Sequence, residues 1–271
     1  MTIPSFIYLY DGAKTQSLNL NEISQYLKNI FKKSKIKIRE EFVTYHTSNL
    51  CSKEKEKIIN YLAKEIAKIR VRNLQHKNKN TVSEPLAGEV EYERNLLLQR
   101  HNAIGILYDG FKLMSIYNKL LNKKEANLSH CHIIFTNQLF GSWDEYDMRY
   151  HARVSIYGFP SIISTTGIVE APAKPREFYL KKQLGVDIYS LKEEFKNRFI
   201  DYNDPRMTEV MKGYVLQAIF YHMTGNPFCE DKNCRLYNAH WQQEVIQAQL
   251  NTKNEFCQQH QKFINQIKYN E

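Results

Sequence analysis

The chain has 271 residues, 42% of them hydrophobic, enough to bury a sizeable core as one large domain or two small ones without disulfide support. Its formal charge of +9 sits at one end: residues 1–80 hold 16 Lys and Arg against 7 Asp and Glu, while the remainder balances at 22 of each. No apolar run approaches the roughly 18 residues that span a bilayer, and five cysteines, an odd number with three gathered near a histidine, argue against an oxidised framework. A soluble protein in a reducing, cytoplasmic setting, with no membrane partner, is therefore expected.

In chain order, the apolar Ile7 to Tyr10 stretch lacks a basic leader and a small-residue cleavage site, so Ser5–Tyr10 reads as a first strand rather than a signal peptide. Leu20–Phe31 carries Ile23, Leu27, Ile30 and Phe31 on one side and reads as an amphipathic helix. Ile36–Tyr45 reads as a second strand. Ser52–Val71 is a helix with Ser52 as its N-cap and an Ile58, Tyr61, Leu62, Ile66, Ile69 stripe. The lysines of residues 28–39 and 53–79, spaced among apolar positions, read as solvated helix faces. An acidic partner such as nucleic acid is the alternative, although no aromatic-and-basic stacking motif accompanies them. Asn73–Pro85 is polar and reads as a mobile surface loop. Val90–Gln99 and Tyr108–Leu121 read as helices.

The composition then changes. Ser129–Leu139, Met148–Tyr157 and Ser161–Val169 are dense in β-branched and aromatic residues between glycine-bearing turns, as three core strands would be. A long helix is expected from Asp204, with Pro205 at its first position, to Gly225, burying Met207, Met211, Val215, Ala218 and His222.

Beyond that helix, Cys229 and Cys234 form one short chelating arm and Cys257 and His260 another. Three thiols and an imidazole with no water make a closed tetrahedral set, the structural arrangement of zinc. His240, between the arms, is a rival fourth ligand. The reading without metal has the cysteines as ordinary reduced thiols beside a helix.

The stretch His222-Met-Thr-Gly225-Asn-Pro227-Phe228-Cys229, followed by Cys234, Cys257 and His260, resembles the zinc end of the archaemetzincin family of metallopeptidases. In that family the motif HExxHxxGxxHC is followed by a second cysteine and then a CxxC pair. The resemblance implies an α+β fold, a metzincin-like mixed sheet packed with helices, here with a zinc-stapled C-terminal helical region. In the family's frame, the first histidine slot holds Ala218, the glutamate slot Ile219 and the third histidine slot Phe228. A zincin needs two histidines at i and i+4 and a glutamate to activate water. Only His222 is kept, so ordinary zincin proteolysis is not expected, and His222 reads as a core histidine satisfied by a backbone carbonyl.

Chemistry elsewhere points to residues 130–176. His130 and His132 share one face of a strand, and Arg149, His151 and Arg153 one face of the next. Joined by Glu170, the three histidines would form an open site for a second divalent metal and hydrolysis. Joined instead by Lys174 and Arg176, Arg149 and Arg153 would form a cationic pocket for an acidic ligand or peptide. A half-exposed antiparallel sheet shows the same alternation with neither function. The chain is expected to be a single α+β domain over 1–271, divisible into a basic part, 1–80, and a strand-rich part, 126–271. Its function is expected to be either that of a hydrolase with a relocated site or that of a non-catalytic binding protein.

Overall fold

A computed structural model describes residues 2–80, 83–103 and 105–269. Strand β1 (Phe6–Gly12) leads through α1 (Leu20–Ile30) to β2 (Lys35–Glu40), and α2 (Phe42–Thr47), α3 (Ser52–Lys68) and α4 (Ala87–Leu97) follow. Next come β3 (Leu107–Asp109), α5 (Gly110–Asn118), β4 (His130–Thr136), β5 (Leu139–Asp144), β6 (Arg149–Arg153), β7 (Ser155–Ile156) and β8 (Ser161–Ser164). The remainder is helical: α6 (Thr165–Glu170), α7 (Arg176–Gln183), α8 (Ile188–Glu194), α9 (Met207–Thr224), α10 (Gln242–Leu250) and α11 (Gln258–Tyr269).

Two mixed sheets result. The larger has the order β2-β1-β4-β8-β7, with β2, β1, β4 and β8 parallel and the edge strand β7 antiparallel. The smaller has the order β3-β5-β6. Helices cover both faces of the larger sheet, which is why β1 reads as a continuous apolar run rather than an alternating one. Ile7 and Leu9 pack with α1, α9 and α11 on one face, through residues such as Ile23, Val215 and Ile264. Tyr8 and Tyr10 pack with α2, α3 and α5 on the other, through Phe42, Leu62 and Leu113.

Several expected elements change at a single capping residue. The expected strand Ile36–Tyr45 stops at Glu40, because the Glu41 carboxylate accepts the Val43 and Thr44 N–H groups and starts α2. The expected strand Ser161–Val169 stops at Ser164, whose hydroxyl accepts the Gly167 N–H at 2.8 Å and starts α6. Helix α3 is capped at Cys51 rather than Ser52, with the Glu54 carboxylate folding back to the Cys51 N–H. Glu89 and Glu244 do the same for α4 and α10. Its buried stripe is Ile59, Leu62, Ala63, Ile66 and Ala67, and Tyr61 is exposed. Tyr108 lies in β3, so the expected helix there starts only at Gly110. Asp204 and Pro205 form a turn before α9, because Asp204 is tied to the Arg206 backbone and guanidinium.

The described part of the 73–85 loop is organised by Asn80, which is buried. Its carbonyl oxygen accepts the Arg72 and Asn73 N–H groups at 2.7 Å each, and its amide donates to the Asn73 and His76 carbonyls. Residues 81 and 82 of that loop lie outside the described residues. Among the described residues, no helix is long and apolar enough to cross a membrane.

Candidate metal centre and cleft

Helix α9 ends at Gly225, whose φ of 76° is the left-handed conformation glycine adopts without strain. The chain then folds back. Cys229 donates its N–H to the Leu236 carbonyl at 2.9 Å and Cys234 donates to Asp231 at 3.0 Å, closing a tight loop that carries both thiols. Cys257 and His260 sit at the head of α11, where the Gln261 N–H reaches the Cys257 carbonyl. The ligand atoms of these four residues all lie within 4.8 Å of one another. Cys229 Sγ is 3.8 Å from Cys257 Sγ, and His260 Nδ1 is 3.7 Å from Cys234 Sγ and 3.1 Å from Cys257 Sγ. Tetrahedral ligands at zinc bond lengths stand ~3.4–3.8 Å apart. The donor set therefore fits one metal ion.

Burial pushes the Cys234 thiol up to about 12 and raises that of Cys229, while it lowers His260. A bound dication opposes the first effect, since ligation requires thiolates and a neutral imidazole. His240, the rival ligand, lies outside this group and lines a cleft instead.

Among the described residues this is the only set of His, Cys, Asp and Glu side chains close enough for one ion. His130, His132, His151 and Glu170 are not brought together. His130 stacks on Phe6 with ring centroids 5.0 Å apart and meets Asn127 through Nδ1. His132 is 1% exposed. Its Nδ1 lies 3.0 Å from the Tyr10 hydroxyl and its Nε2 3.1 Å from the Glu125 carbonyl. Arg39 completes this buried group: its guanidinium donates to the Tyr10 hydroxyl and forms a bidentate pair with Glu125 at 2.7 and 2.6 Å. Burial holds His132 down at about 4, and the Arg39 pair holds Glu125 at about 2. His151 belongs to the other sheet and pairs with Asp147 at 2.9 Å, and Glu170 accepts from the Tyr202 hydroxyl.

The expected cationic pocket is likewise dispersed. Arg149 is exposed at the start of β6, and Arg153 donates to the Ser142 hydroxyl. Lys174 folds over Phe178 and Phe199 and donates to the Val169 carbonyl, while Arg176 lies over Trp241. His222 meets the Leu128 carbonyl through Nε2 at 2.8 Å, the backbone partner expected for it.

A cleft of about 890 Å³ runs between the β6–β7 edge and α9. Tyr157, Tyr221, Phe228 and Trp241 line it, with His151 and Arg153 at the β6 end. The Tyr157 hydroxyl donates to Gln217 Oε1 at 2.5 Å, and the Gln217 amide donates to the Tyr237 carbonyl. Nothing in the sequence singles out this wall, because Tyr157 reaches Gln217 from 60 residues away. Ala218 and Ile219 are wholly buried in the core beneath it.

A family described as "Probable metallopeptidase family (DUF6775)" matches residues 3–267. No curated protein and no solved structure matches the chain significantly.

Proposed function

The chain belongs to this probable metallopeptidase family, and on that premise we propose that it is a divergent, archaemetzincin-like member that holds a structural zinc ion and binds an extended peptide without zincin hydrolysis. The observation that carries the reading is the separation of donors from cleft. The slots for the first histidine and the glutamate are Ala218 and Ile219, both buried, whereas the metal-capable group lies at Cys229, Cys234, Cys257 and His260. Three sulfurs and one nitrogen in closed array favour zinc. Held by these four side chains, zinc would have no open coordination position and would tie the Cys229–Cys234 loop to the head of α11.

The cleft suits a peptide for a separate reason. Among the described residues, strand β7 ends the larger sheet and one side of its backbone lacks a neighbouring strand, so an extended segment can add there. Aromatic rings on the facing side offer places for alternate side chains. A relocated hydrolytic centre with a second metal has no support from the placement of His130, His132, His151 and Glu170.

Elemental analysis of the purified protein should find one zinc per chain, lost in Cys234→Ser and kept in His151→Ala, and mass spectrometry of an incubated peptide library should find binding without cleavage. Two metals per chain, or cleavage that survives purification and stops with His151→Ala, would overturn the reading.

A further inference from the structure

At the opposite end of the sheet from the N-termini of its parallel strands lies a crevice that the peptide-binding reading does not use. From β1 the chain moves outward to β2 on one side, and from β4 it moves outward to β8 on the other, so the strand order reverses between the neighbours β1 and β4. Such a reversal leaves a gap beyond the carboxyl ends of the two strands, where open parallel sheets bind ligands. Here the residues just past β1, β4 and β8 surround a cavity of about 220 Å³. Lys14, Thr15, Asn102, Asn137, Thr166 and Asn203 give it a polar lining with no Asp or Glu.

Three features of this lining point to a ligand rather than to packing. Lys14 Nζ donates to the Gln99 carbonyl at 3.0 Å, and among the described residues no carboxylate lies within ion-pair distance of it. The Asn102 oxygen accepts from Asn137, and the Asn203 oxygen accepts from Thr15, which leaves the NH2 group of each amide as a donor. Lys14 and Asn203 have φ of 49° and 57°, left-handed conformations unusual for residues other than glycine and found where a site constrains the backbone. Gly12 allows the close approach of the strands, since a Cβ there would lie 2.6 Å from the Phe135 carbonyl oxygen.

We propose that this crevice binds a small oxyanion, the phosphate or carboxylate group of a small molecule, with the Lys14 ammonium as counter-charge and the Asn102 and Asn203 amides as donors. The volume limits the ligand to a small one, below the ~300 Å³ typical of larger ligand pockets.

Calorimetry and thermal melting of the zinc-loaded protein, with inorganic phosphate and separately with acetate at ionic strength fixed by chloride, test this. At least one of the two anions should bind and raise the melting temperature. Lys14→Gln should weaken that anion about tenfold, and Asn203→Asp, which tolerates the left-handed backbone and adds a carboxylate, should abolish its effect. A response to phosphate alone assigns a phosphoryl ligand, and one to acetate alone a carboxylate. Absence of a response to either anion, or equal responses in wild type and both variants at unchanged baseline stability, would overturn the proposal. Peptide binding in the cleft should be unaffected by either variant, so this proposal and the peptide reading fail independently.

Discussion

His132 lies between the Tyr10 hydroxyl and the Glu125 carbonyl, and burial is the main reason its folded state resists protonation. Its pKa of about 4 lies below the ordinary ~6.5, so its contribution to stability is complete above pH 6.5 and lost as pH falls toward 4. The effect is on the order of 3 kcal/mol, and that of Glu125 begins only below about pH 4.5. Urea midpoints of wild type at pH 7.0 and 5.0 should therefore differ by more than those of His132→Gln, and equal slopes would remove His132 as the cause. Burial also lowers His260, but both proteins share it. Nothing in the sequence marked His132 as a structural group, because Tyr10 is 122 residues away and becomes a partner only through strand register. The Cys229, Cys234, Cys257 and His260 group was legible for the opposite reason: each pair lies on a short arm, so spacing alone brings its two donors together.

At the scale of elements, α9 and α10 approach closely at Gly213. Gly213 leaves room for Gln249, whose amide oxygen and carbon occupy the space a Cβ would fill. Gln249 is buried and donates to the Arg235 carbonyl at 2.9 Å, next to the Cys234 ligand. Gly213→Ala forces that amide out or overpacks the junction, and should cost about 1–3 kcal/mol despite the better helix propensity of alanine. A urea midpoint equal to or above that of wild type would show that Gln249 moves freely. Helix and strand identities were largely legible from periodicity, as for α1 and β4. Two failures occurred where a polar side chain captured a backbone N–H: Glu41 and Ser164 each turn a strand-like sequence into the first turn of a helix. β-branched composition carries no trace of that competition.

For the molecule as a whole, the metal-capable Cys229, Cys234, Cys257 and His260 group lies between the end of α9 and the head of α11, and α11 packs through Ile264 and Ile267 into the same core as β1. Chelation should therefore loosen more than a surface loop, lowering the melting temperature by about 10 °C if the linkage contributes several kcal/mol. Limited proteolysis of the chelated protein should cut between residues 226 and 257 before cutting the sheet. An unchanged melting curve after confirmed metal removal would mean that packing alone holds α11. The α+β class and the convergence of Cys229, Cys234, Cys257 and His260 were legible in the sequence. The strand order was not, since β1 has no mark of lying between β2 and β4, and the cleft and the strand-end crevice both depend on that order.

That order also governs how the chain comes off the ribosome. β1 emerges before its inner neighbour, which pairs Phe6 with His130 and follows only after another 124 residues, roughly 6–25 s at ordinary elongation rates. Throughout that interval an aromatic strand waits with an open edge, the condition that invites association between nascent chains. The lysine excess of residues 1–80 gives the waiting segment a strong like charge, and mutual repulsion of neighbouring polysomal chains is a service it can perform before any folded function exists.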